Sequence, residues 1–117
     1  MKRDDAVRLH HMLDAARKAR QFIQNRARAD LEQDEQLTLA LIRLLEIIGE
    51  AAKNVSLETQ QQYPAIRWKE IGGTRNRLIH GYFDVDLDIL WQILTADLPP
   101  LITVLEKAVA SPSQSDA

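Results

Sequence analysis

The sequence predicts an all-α fold, an antiparallel up-and-down bundle of four main helices plus one short helix. Ala and Leu are abundant, whereas the 117 residues include only 4 Gly and 4 Pro, and this composition favours helices. Apolar residues recur at intervals of three and four over several long segments, which is the period of an amphipathic helix. No segment of useful length alternates with the two-residue period of a strand. Short connections between successive helices favour antiparallel packing.

The length of the chain is typical of one domain. Hydrophobic residues make up 45% of the sequence, which is enough to build a core. We expect a single helical domain over residues 1–110. The remaining residues, 111–117, read SPSQSDA, and this short polar segment is predicted to be a disordered tail.

Cysteine is absent, which excludes a disulfide framework and a thiolate metal site. The N-terminal residues are charged where a signal peptide would need an apolar run, and no stretch of about 18 apolar residues occurs. We therefore expect a soluble, cytoplasmic protein that does not engage a membrane. No pattern indicates a cofactor or a metal ion.

The first main helix is predicted to begin near Asp4 or Asp5, whose carboxylates suit the positive end of a helix, and to continue to about Arg28. Its apolar stripe comprises Val7, Leu9, Met12, Leu13, Ala16, Ala19, Phe22 and Ile23. His10 and His11 are adjacent, so they point about 100° apart and are poorly placed to share a metal. We interpret both as surface or boundary residues.

The second main helix is predicted over residues 34–55. Its inner face comprises Leu37, Ala40, Leu41, Leu44, Leu45, Ile48, Ala51, Ala52 and Val55. Glu46 and Glu50 are four residues apart, and such a pair can act in acid–base chemistry or bind a metal. We favour an interhelical salt bridge or hydrogen bond, because Glu50 borders the apolar face and has Lys53 nearby. Gly49 costs a helix about 1 kcal/mol relative to Ala, which indicates a close helix contact.

Ser56 is predicted to cap the short helix, which ends before Pro64. Pro64 suits the first turn of the third main helix. Gly72 and Gly73 interrupt this helix, so either it bends there or another backbone or a ligand comes close. Gly81 is predicted to end it.

Asp84 or Asp86 is predicted to cap the last main helix. Its stripe comprises Leu87, Leu90, Trp91, Leu94, Leu98, Leu101, Leu105 and Val109. Pro99 and Pro100 should kink or split it, with Pro99 close to the first position of the second part.

The segment Arg75–Tyr82, RNRLIHGY, contains the candidate functional site. Cleavage of RNA without a metal needs a base for the 2′-hydroxyl, an acid for the leaving oxygen and a fixed cation for the phosphoryl charge. Histidine is the side chain best suited to the first two tasks, which makes His80 the candidate, and Arg75 suits the third. One chain offers one motif histidine, so a dimer with a composite cleft would supply both acid and base.

On an ideal helix Asn76 and His80 would lie about 40° apart, and Arg75 and His80 about 140° apart. Tyr82 would share a stripe with Arg75 if the helix continued. Structural interpretations remain open at this point. A histidine before Gly81 often contacts the terminal carbonyls of a helix, and Tyr82 would then be a packing residue.

The formal net charge of −2 argues against nucleic-acid binding, but the charges are unevenly distributed. Residues 1–28 carry 8 Lys or Arg against 3 Asp or Glu, and residues 63–83 carry 4 against 1. A basic face could therefore attract RNA, although amphipathic helices also distribute charge in this way.

Three segments resemble the HepT-like ribonuclease family of HEPN domains in order and spacing. They are LLEIIGEAAKNVS at 44–56, PAIRWKEIGGTRNRLIHGYFDVD at 64–86 and LDILWQILTADLPPL at 87–101. The Arg-x4-His-x-Tyr motif of that family is complete at Arg75, His80 and Tyr82, with the usual polar residue after the arginine present as Asn76. The resemblance extends to about Val109.

The resemblance implies a homodimeric, metal-independent endoribonuclease that acts as the toxin of a type VII-like toxin–antitoxin system. It implies that Arg75 stabilises the scissile phosphate, that His80 is acid or base, and that Asn76 supports them. The partner it implies is a nucleotidyltransferase antitoxin of the MntA type, which attaches AMP to Tyr82.

Two other functions remain open. One is a non-catalytic dimeric helical module that binds a nucleotidyltransferase or a nucleotide, which the net charge mildly favours. The other is a purely structural oligomerisation bundle. The intact pair of Arg75 and His80 favours the enzyme, because a scaffold does not need it.

Overall fold

The computed structural model describes residues 1–81 and 84–110, and they form an all-α bundle, as predicted. The helices are α1 (Arg3–Phe22), α2 (Ala29–Gln33), α3 (Glu35–Asn54), α4 (Leu57–Gln62), α5 (Trp68–Gly72), α6 (Thr74–Leu78), α7 (Leu87–Gln92) and α8 (Leu98–Val109). A π-helical turn, Ile93–Asp97, joins α7 to α8. Strands β1 (Ile79–His80) and β2 (Asp84–Val85) form a small antiparallel ladder between α6 and α7. The predicted tail at 111–117 lies outside the described residues.

The core lies where α1 packs against α3 and α8. Its largest fully buried apolar side chains are Leu9, Met12, Leu13, Leu41, Leu78, Leu90, Leu94 and Leu105. These residues come from the predicted stripes and from the motif segment. The buried Leu78 therefore ties the candidate site to the same core as the long helices.

Helix α1 is shorter than predicted and its stripe is narrower. It ends at Phe22 rather than near Arg28, and Asn25 three residues later has a left-handed φ of 63°, which reverses the chain. Val7 and Phe22 were expected on the buried stripe but are 45% and 39% exposed. Both lie at the margin of the helix face that meets α3 and α8, so the prediction was wrong for them.

The beginning of α1 is held by a buried carboxylate. Asp5 is only 1% exposed and accepts hydrogen bonds from the backbone N–H of Ser56 at 2.9 Å and from the hydroxyls of Ser56 and Thr59 at 2.5 and 2.7 Å. Burial by itself raises the pKa of Asp5, but the hydrogen bonds from Ser56 and Thr59 outweigh it and leave the pKa below its usual value. The contact joins the start of α1 to the start of α4.

Helix α3 agrees with the prediction. Asp34 caps it by accepting a hydrogen bond from the N–H of Leu37 at 3.0 Å. The close contact expected at Gly49 is confirmed, because a Cβ atom there would lie 3.0 Å from the backbone oxygen of Ile71. This contact brings α5 directly against α3.

The predicted third main helix is wrong in extent. Two five-residue helices, α5 and α6, replace it, and Gly73 separates them with φ −94° and ψ 8°. Pro64 lies in the preceding loop, where the indole N–H of Trp68 donates to the backbone oxygens of Gln60 and Tyr63. Gly81 does not end a helix; it follows β1 with φ 84°.

The last helix is capped by Asp86, whose carboxylate accepts from the N–H of Ile89 at 3.1 Å. The predicted split near the prolines is confirmed. The N–H of Leu98 bonds to the oxygen of Ile93, five residues back, and Pro99 has no N–H to donate. The oxygen of Leu94 instead accepts from the guanidinium of Arg20 on α1 at 3.1 Å.

The run Leu87–Val109 also has the length and composition of a membrane-spanning helix, with 23 residues and an 18-residue window whose mean hydropathy is 1.2. It is not an uninterrupted apolar stretch, because Asp88 and Asp97 lie within it. Four leucines of the run, at positions 90, 94, 98 and 105, are buried in the bundle. These leucines belong to the core, and 22% of the 18-residue window is buried in the bundle.

Candidate active site

The motif RNRLIHGY is distributed over two different elements. Arg75 and Asn76 lie on α6, and His80 is the second residue of β1. The helix ends at Leu78, so the angles expected for a continuous helix do not apply, and that geometric prediction was wrong. Tyr82, the predicted modification target, lies outside the described residues.

Helix α6 is anchored on one side. Leu78 is 1% exposed and Thr74 is 9% exposed, and the Thr74 hydroxyl donates to the oxygen of Glu70 at 3.4 Å. Positions 74 and 78 lie one turn apart on the same side of a helix. Arg75 and Asn76 are exposed, so the buried side chains hold the backbone while the functional side chains face solvent.

The segment after α6 is fixed by backbone pairing. Ile79 pairs with Val85 and His80 with Asp84 in the antiparallel ladder, and the N–H of Asp86 donates to the oxygen of Leu78 at 2.7 Å. His80 is exposed. The ladder therefore presents the imidazole to solvent at a defined position two residues beyond the buried Leu78.

Sequence reasoning missed Asp84 as a neighbour of His80. Residues directly opposite in an antiparallel pair have Cβ atoms about 4.5–5.5 Å apart, and the carboxylate of Asp84 is exposed like the imidazole. Asp84 was considered only as a possible helix cap. The strand pairing that brings it to His80 spans two residues on each side, which is too short to leave an alternating pattern.

Arg75 forms an ion pair with Glu46 of α3. The Nε atom of Arg75 lies 3.4 Å from Oε2 of Glu46, and the other carboxylate oxygen lies 4.0 Å from Nη1 of Arg43. The interhelical salt bridge expected of the two glutamates is thus confirmed for Glu46. Glu50 is exposed, and within the described residues it forms no ion pair; its backbone oxygen accepts from Asn54.

Four of the eight Lys and Arg residues of the first segment, Arg8, Arg17, Arg26 and Arg28, form ion pairs. Arg17 pairs with Glu106 at 2.7 Å and Arg26 with Asp34 at 3.5 Å. Arg28 contacts both Glu32 and Asp88, and hydrogen bonds to these carboxylates raise its pKa above the usual value. That a basic face of residues 1–28 attracts RNA stays a prediction.

Two of the four cations in the segment 63–83, Arg67 and Arg75, also form ion pairs. Arg67 pairs with Glu70 at 3.1 Å. Lys69 and Arg77 form no ion pair within residues 1–81 and 84–110. Together with Arg75 they place three positive side chains on the two short helices that precede His80.

A separate groove of about 380 Å³ lies between α3, α5 and the start of α8. Its walls are mainly apolar, with Ile48, Ile71 and Leu101 among them. Four charged residues, Arg67, Glu70, Arg77 and Asp97, also line it, whereas Arg75 and His80 do not. An apolar groove offers little to a phosphodiester. The exposed surface at Arg75 and His80 is therefore the better candidate for nucleic-acid chemistry.

His10 and His11 are exposed on α1, in agreement with the prediction. In the part of the chain that the structure describes, no three His, Cys, Asp or Glu side chains are grouped so that they could hold a metal ion. The candidate site is thus composed of Arg75, Asn76 and His80, with Glu46 and Asp84 as acidic neighbours.

Comparison with known proteins identifies the family. The model of the ribonuclease HepT-like family matches residues 12–108. The chain belongs to the HepT-like ribonuclease family. The resemblance of its three segments to this family is thereby confirmed, and the match covers α3, both short helices of the motif region and nearly all of α8.

Individual relatives agree with this membership. The HepT-like chain is 36% identical over 107 residues to probable ribonuclease HepT of Thermococcus cleftensis, which covers 92% of the chain and 97% of that protein. It is 35% identical over 100 residues to a protein of Methanocaldococcus jannaschii named putative RNase, covering 86% of the chain and 92% of that protein.

A third relative is longer. It is a Methanocaldococcus jannaschii protein named gamma-glutamylcyclotransferase and putative RNase, 36% identical over 101 residues. The match covers 86% of the HepT-like chain but 46% of that protein, so the chain spans about half of this relative. No solved structure matches the chain.

Proposed function

We propose that this HepT-like protein is an endoribonuclease that cleaves RNA without a metal ion and acts as the toxin of a type VII-like toxin–antitoxin system. The observation that carries the proposal is the placement of Arg75 and His80. Both are exposed, and the buried Leu78 between them fixes the backbone that carries them. Membership of a ribonuclease family supports the same conclusion.

The chemistry assigns one task to each group. An imidazole of His80 removes the proton of a 2′-hydroxyl, and that oxygen attacks the adjacent phosphorus. The 5′-oxygen leaves with a proton supplied by an acid, and a 2′,3′-cyclic phosphate remains on the other product. Arg75 stabilises the charge on the phosphoryl oxygens, and the exposed amide of Asn76 helps to orient the phosphate.

A homodimer completes the site in this proposal. The motif contains one histidine per chain, and acid and base are needed on opposite sides of the same phosphate. A cleft between two copies supplies one His80 from each. Lys69, Arg75 and Arg77, which all lie in the basic segment 63–83, would attract the RNA backbone to that cleft.

The proposed antitoxin is a nucleotidyltransferase of the MntA type. The hydroxyl of Tyr82 would attack the α-phosphorus of ATP, forming a phosphodiester to AMP and releasing pyrophosphate. The added nucleotide carries bulk and negative charge two residues from His80, so it would block RNA sterically and by repulsion.

RNA cleavage by the purified protein in excess EDTA tests the proposal. The natural chain is compared with Arg75→Ala, His80→Ala and His11→Ala, the last being an exposed histidine on α1 and a matched control. We expect EDTA-resistant cleavage with a 2′,3′-cyclic phosphate product in the natural chain and in His11→Ala. Cleavage should fall by at least about a hundredfold in the other two, the magnitude expected for a lost acid–base group or a lost charge stabiliser.

Intact-mass analysis must accompany the assay, because protein that carries AMP on Tyr82 would be inactive as a result of the modification. A folded, unmodified natural chain without cleavage would contradict the enzymatic proposal. The non-catalytic module that binds a nucleotidyltransferase would then be favoured, in keeping with the net charge of −2. Cleavage that stops in EDTA and returns with a divalent metal would contradict the metal-independent mechanism alone.

A further inference from the structure

Arg75 has little support from its own helix. It lies on α6, which has only five residues, and its side chain is 70% exposed. An exposed arginine has several freely rotating bonds. Fixing such a side chain at an active site costs rotamer entropy equivalent to up to about 2 kcal/mol. A residue that must meet a phosphate at a defined angle therefore needs a partner outside α6.

Glu46 is placed to be that partner. It lies at the middle of the 20-residue helix α3, between the core residues Leu45 and Ile48, and its side chain is 29% exposed. The carboxylate is thus carried by a long core helix that contacts α6 directly. Arg43, one turn earlier on the same helix, lies 4.0 Å from the other oxygen of Glu46.

The geometry of the pair leaves Arg75 able to bind phosphate. Glu46 approaches the Nε atom of the guanidinium at 3.4 Å. A guanidinium carries five N–H groups in a planar fork, and four of them belong to the two terminal nitrogens. An ion pair made at Nε attracts the guanidinium toward α3 and leaves its terminal edge available for two phosphoryl oxygens.

We propose that Glu46 is a positioning residue for the catalytic arginine: it holds the Arg75 guanidinium so that its terminal edge faces the scissile phosphate. The proposal rests on the proposed ribonuclease function for the identity of the ligand. The orientation of Arg75 by Glu46 is independent of the ribonuclease function, because it can be measured on the protein without RNA.

Two other roles give different results. A simple surface ion pair contributes about 0–1 kcal/mol to stability and has no effect on turnover. A competitor that occupies the place of the phosphate on Arg75 would slow the enzyme, so its removal would increase the rate. The positioning role predicts a decrease in turnover with almost no change in stability.

The first experiment is steady-state RNA cleavage by Glu46→Gln and Glu46→Asp, with Glu50→Gln as the matched control on the same helix. Glu46→Gln removes the charge and keeps the shape. We expect kcat to fall by about tenfold to a hundredfold, because a misplaced catalytic group can lose that much, while KM changes by less than about threefold. Glu46→Asp should recover part of the loss, and Glu50→Gln should match the natural chain.

The second experiment observes Arg75 directly in the absence of RNA. The Nε–Hε resonance of Arg75 is assigned by its disappearance in Arg75→Lys. In Glu46→Gln we expect this resonance to move to the position of a solvated arginine and to exchange faster with water. In Glu50→Gln it should be unchanged.

The outcomes separate the two proposals. Unchanged or faster turnover in Glu46→Gln, or an unchanged Arg75 resonance, would overturn the positioning role while leaving the ribonuclease proposal intact. A natural chain that cleaves no RNA would contradict the ribonuclease proposal, and the resonance of Arg75 would still decide whether Glu46 orients it. A fall in kcat together with a shifted resonance supports both.

Discussion

Gly49 and Ile71 are in such close contact that the position of the missing Cβ of Gly49 lies 3.0 Å from the backbone oxygen of Ile71. The contact sets the distance between α3 and α5, and α6 with its motif arginine follows α5 after a single residue. This glycine in the second half of α3 is therefore part of what positions the candidate site.

Replacing Gly49 by Val should separate α3 from α5. The branched side chain would meet the oxygen of Ile71, and overpacking of this kind costs about 1–3 kcal/mol. We expect a lower free energy of unfolding in urea and a decrease in RNA cleavage, since Arg75 moves away from Glu46.

Gly73→Ala is the matched control for this change. A Cβ there would lie 3.5 Å from the oxygen of Lys69, which is ordinary contact, and its φ of −94° suits any residue. It should keep or raise the stability by about 0.4–1 kcal/mol, because alanine restricts the unfolded chain. Equal destabilisation by the two substitutions would contradict the role assigned to the contact at Gly49.

Removing the buried carboxylate of Asp5 should destabilise the bundle. In Asp5→Asn the amide nitrogen cannot accept the hydrogen bonds from Ser56 and Thr59, and unmade buried hydrogen bonds cost about 1–3 kcal/mol. Urea unfolding at pH 7 measures the loss. Asp4→Asn, an exposed neighbour, should change the free energy of unfolding by no more than about 0.5 kcal/mol.

The same carboxylate gives the stability a defined pH dependence. The folded pKa of Asp5 is lower than its usual value of 3.8, so the unfolded chain binds the proton more readily. The stabilisation is therefore fully present above the usual pKa and is lost as the pH falls through the folded one. We expect the stability difference between the natural chain and Asp5→Asn to shrink below pH 3.8. A difference that stays constant down to about pH 2 would contradict this assignment.

Arg20 should matter more for stability than its exposed neighbour Arg17. Arg20→Met would leave the oxygen of Leu94 without its donor at the π-helical turn, where Pro99 cannot supply one, at a cost of about 1–3 kcal/mol. Arg17→Met removes only an exposed ion pair with Glu106, which is worth about 0–1 kcal/mol. Thermal unfolding of both variants tests the order, and a larger loss in Arg17→Met would reverse our interpretation.

Gly81 should tolerate asparagine better than valine. Its φ of 84° lies in the left-handed region, and a Cβ atom added there would meet no other atom within 4 Å, so the penalty is one of backbone conformation. That conformation costs a residue with a side chain about 1–2 kcal/mol, and least for asparagine. We expect Gly81→Val to lower both stability and cleavage, because it strains the position next to His80. Equal behaviour of Gly81→Asn and Gly81→Val would show that the turn is not constrained.

Much of the architecture was accessible from periodicity and capping. The bounds of α3, the cap at Ser56, the cap at Asp86 and the split near Pro99 were all predicted from local rules. The extent of the motif helix was not, because Leu78 and Ile79 continue an apolar pattern that a helix and a short strand share. Backbone pairing between β1 and β2 makes Ile79 and His80 a strand, and apolar periodicity does not predict that pairing.

The sequence by itself determined the helical class, the apolar faces that build the core and the identity of the motif residues, because each depends on residue type and on spacing within one segment. Only the tertiary structure decided that Glu46 meets Arg75 and that Asp84 lies opposite His80. Those pairings join side chains from different elements, and their distances follow from the packing of α5 on α3 and from the pairing of β1 with β2. Residue spacing within one segment does not predict such distances, because the distances are set by contacts between separate segments of the chain.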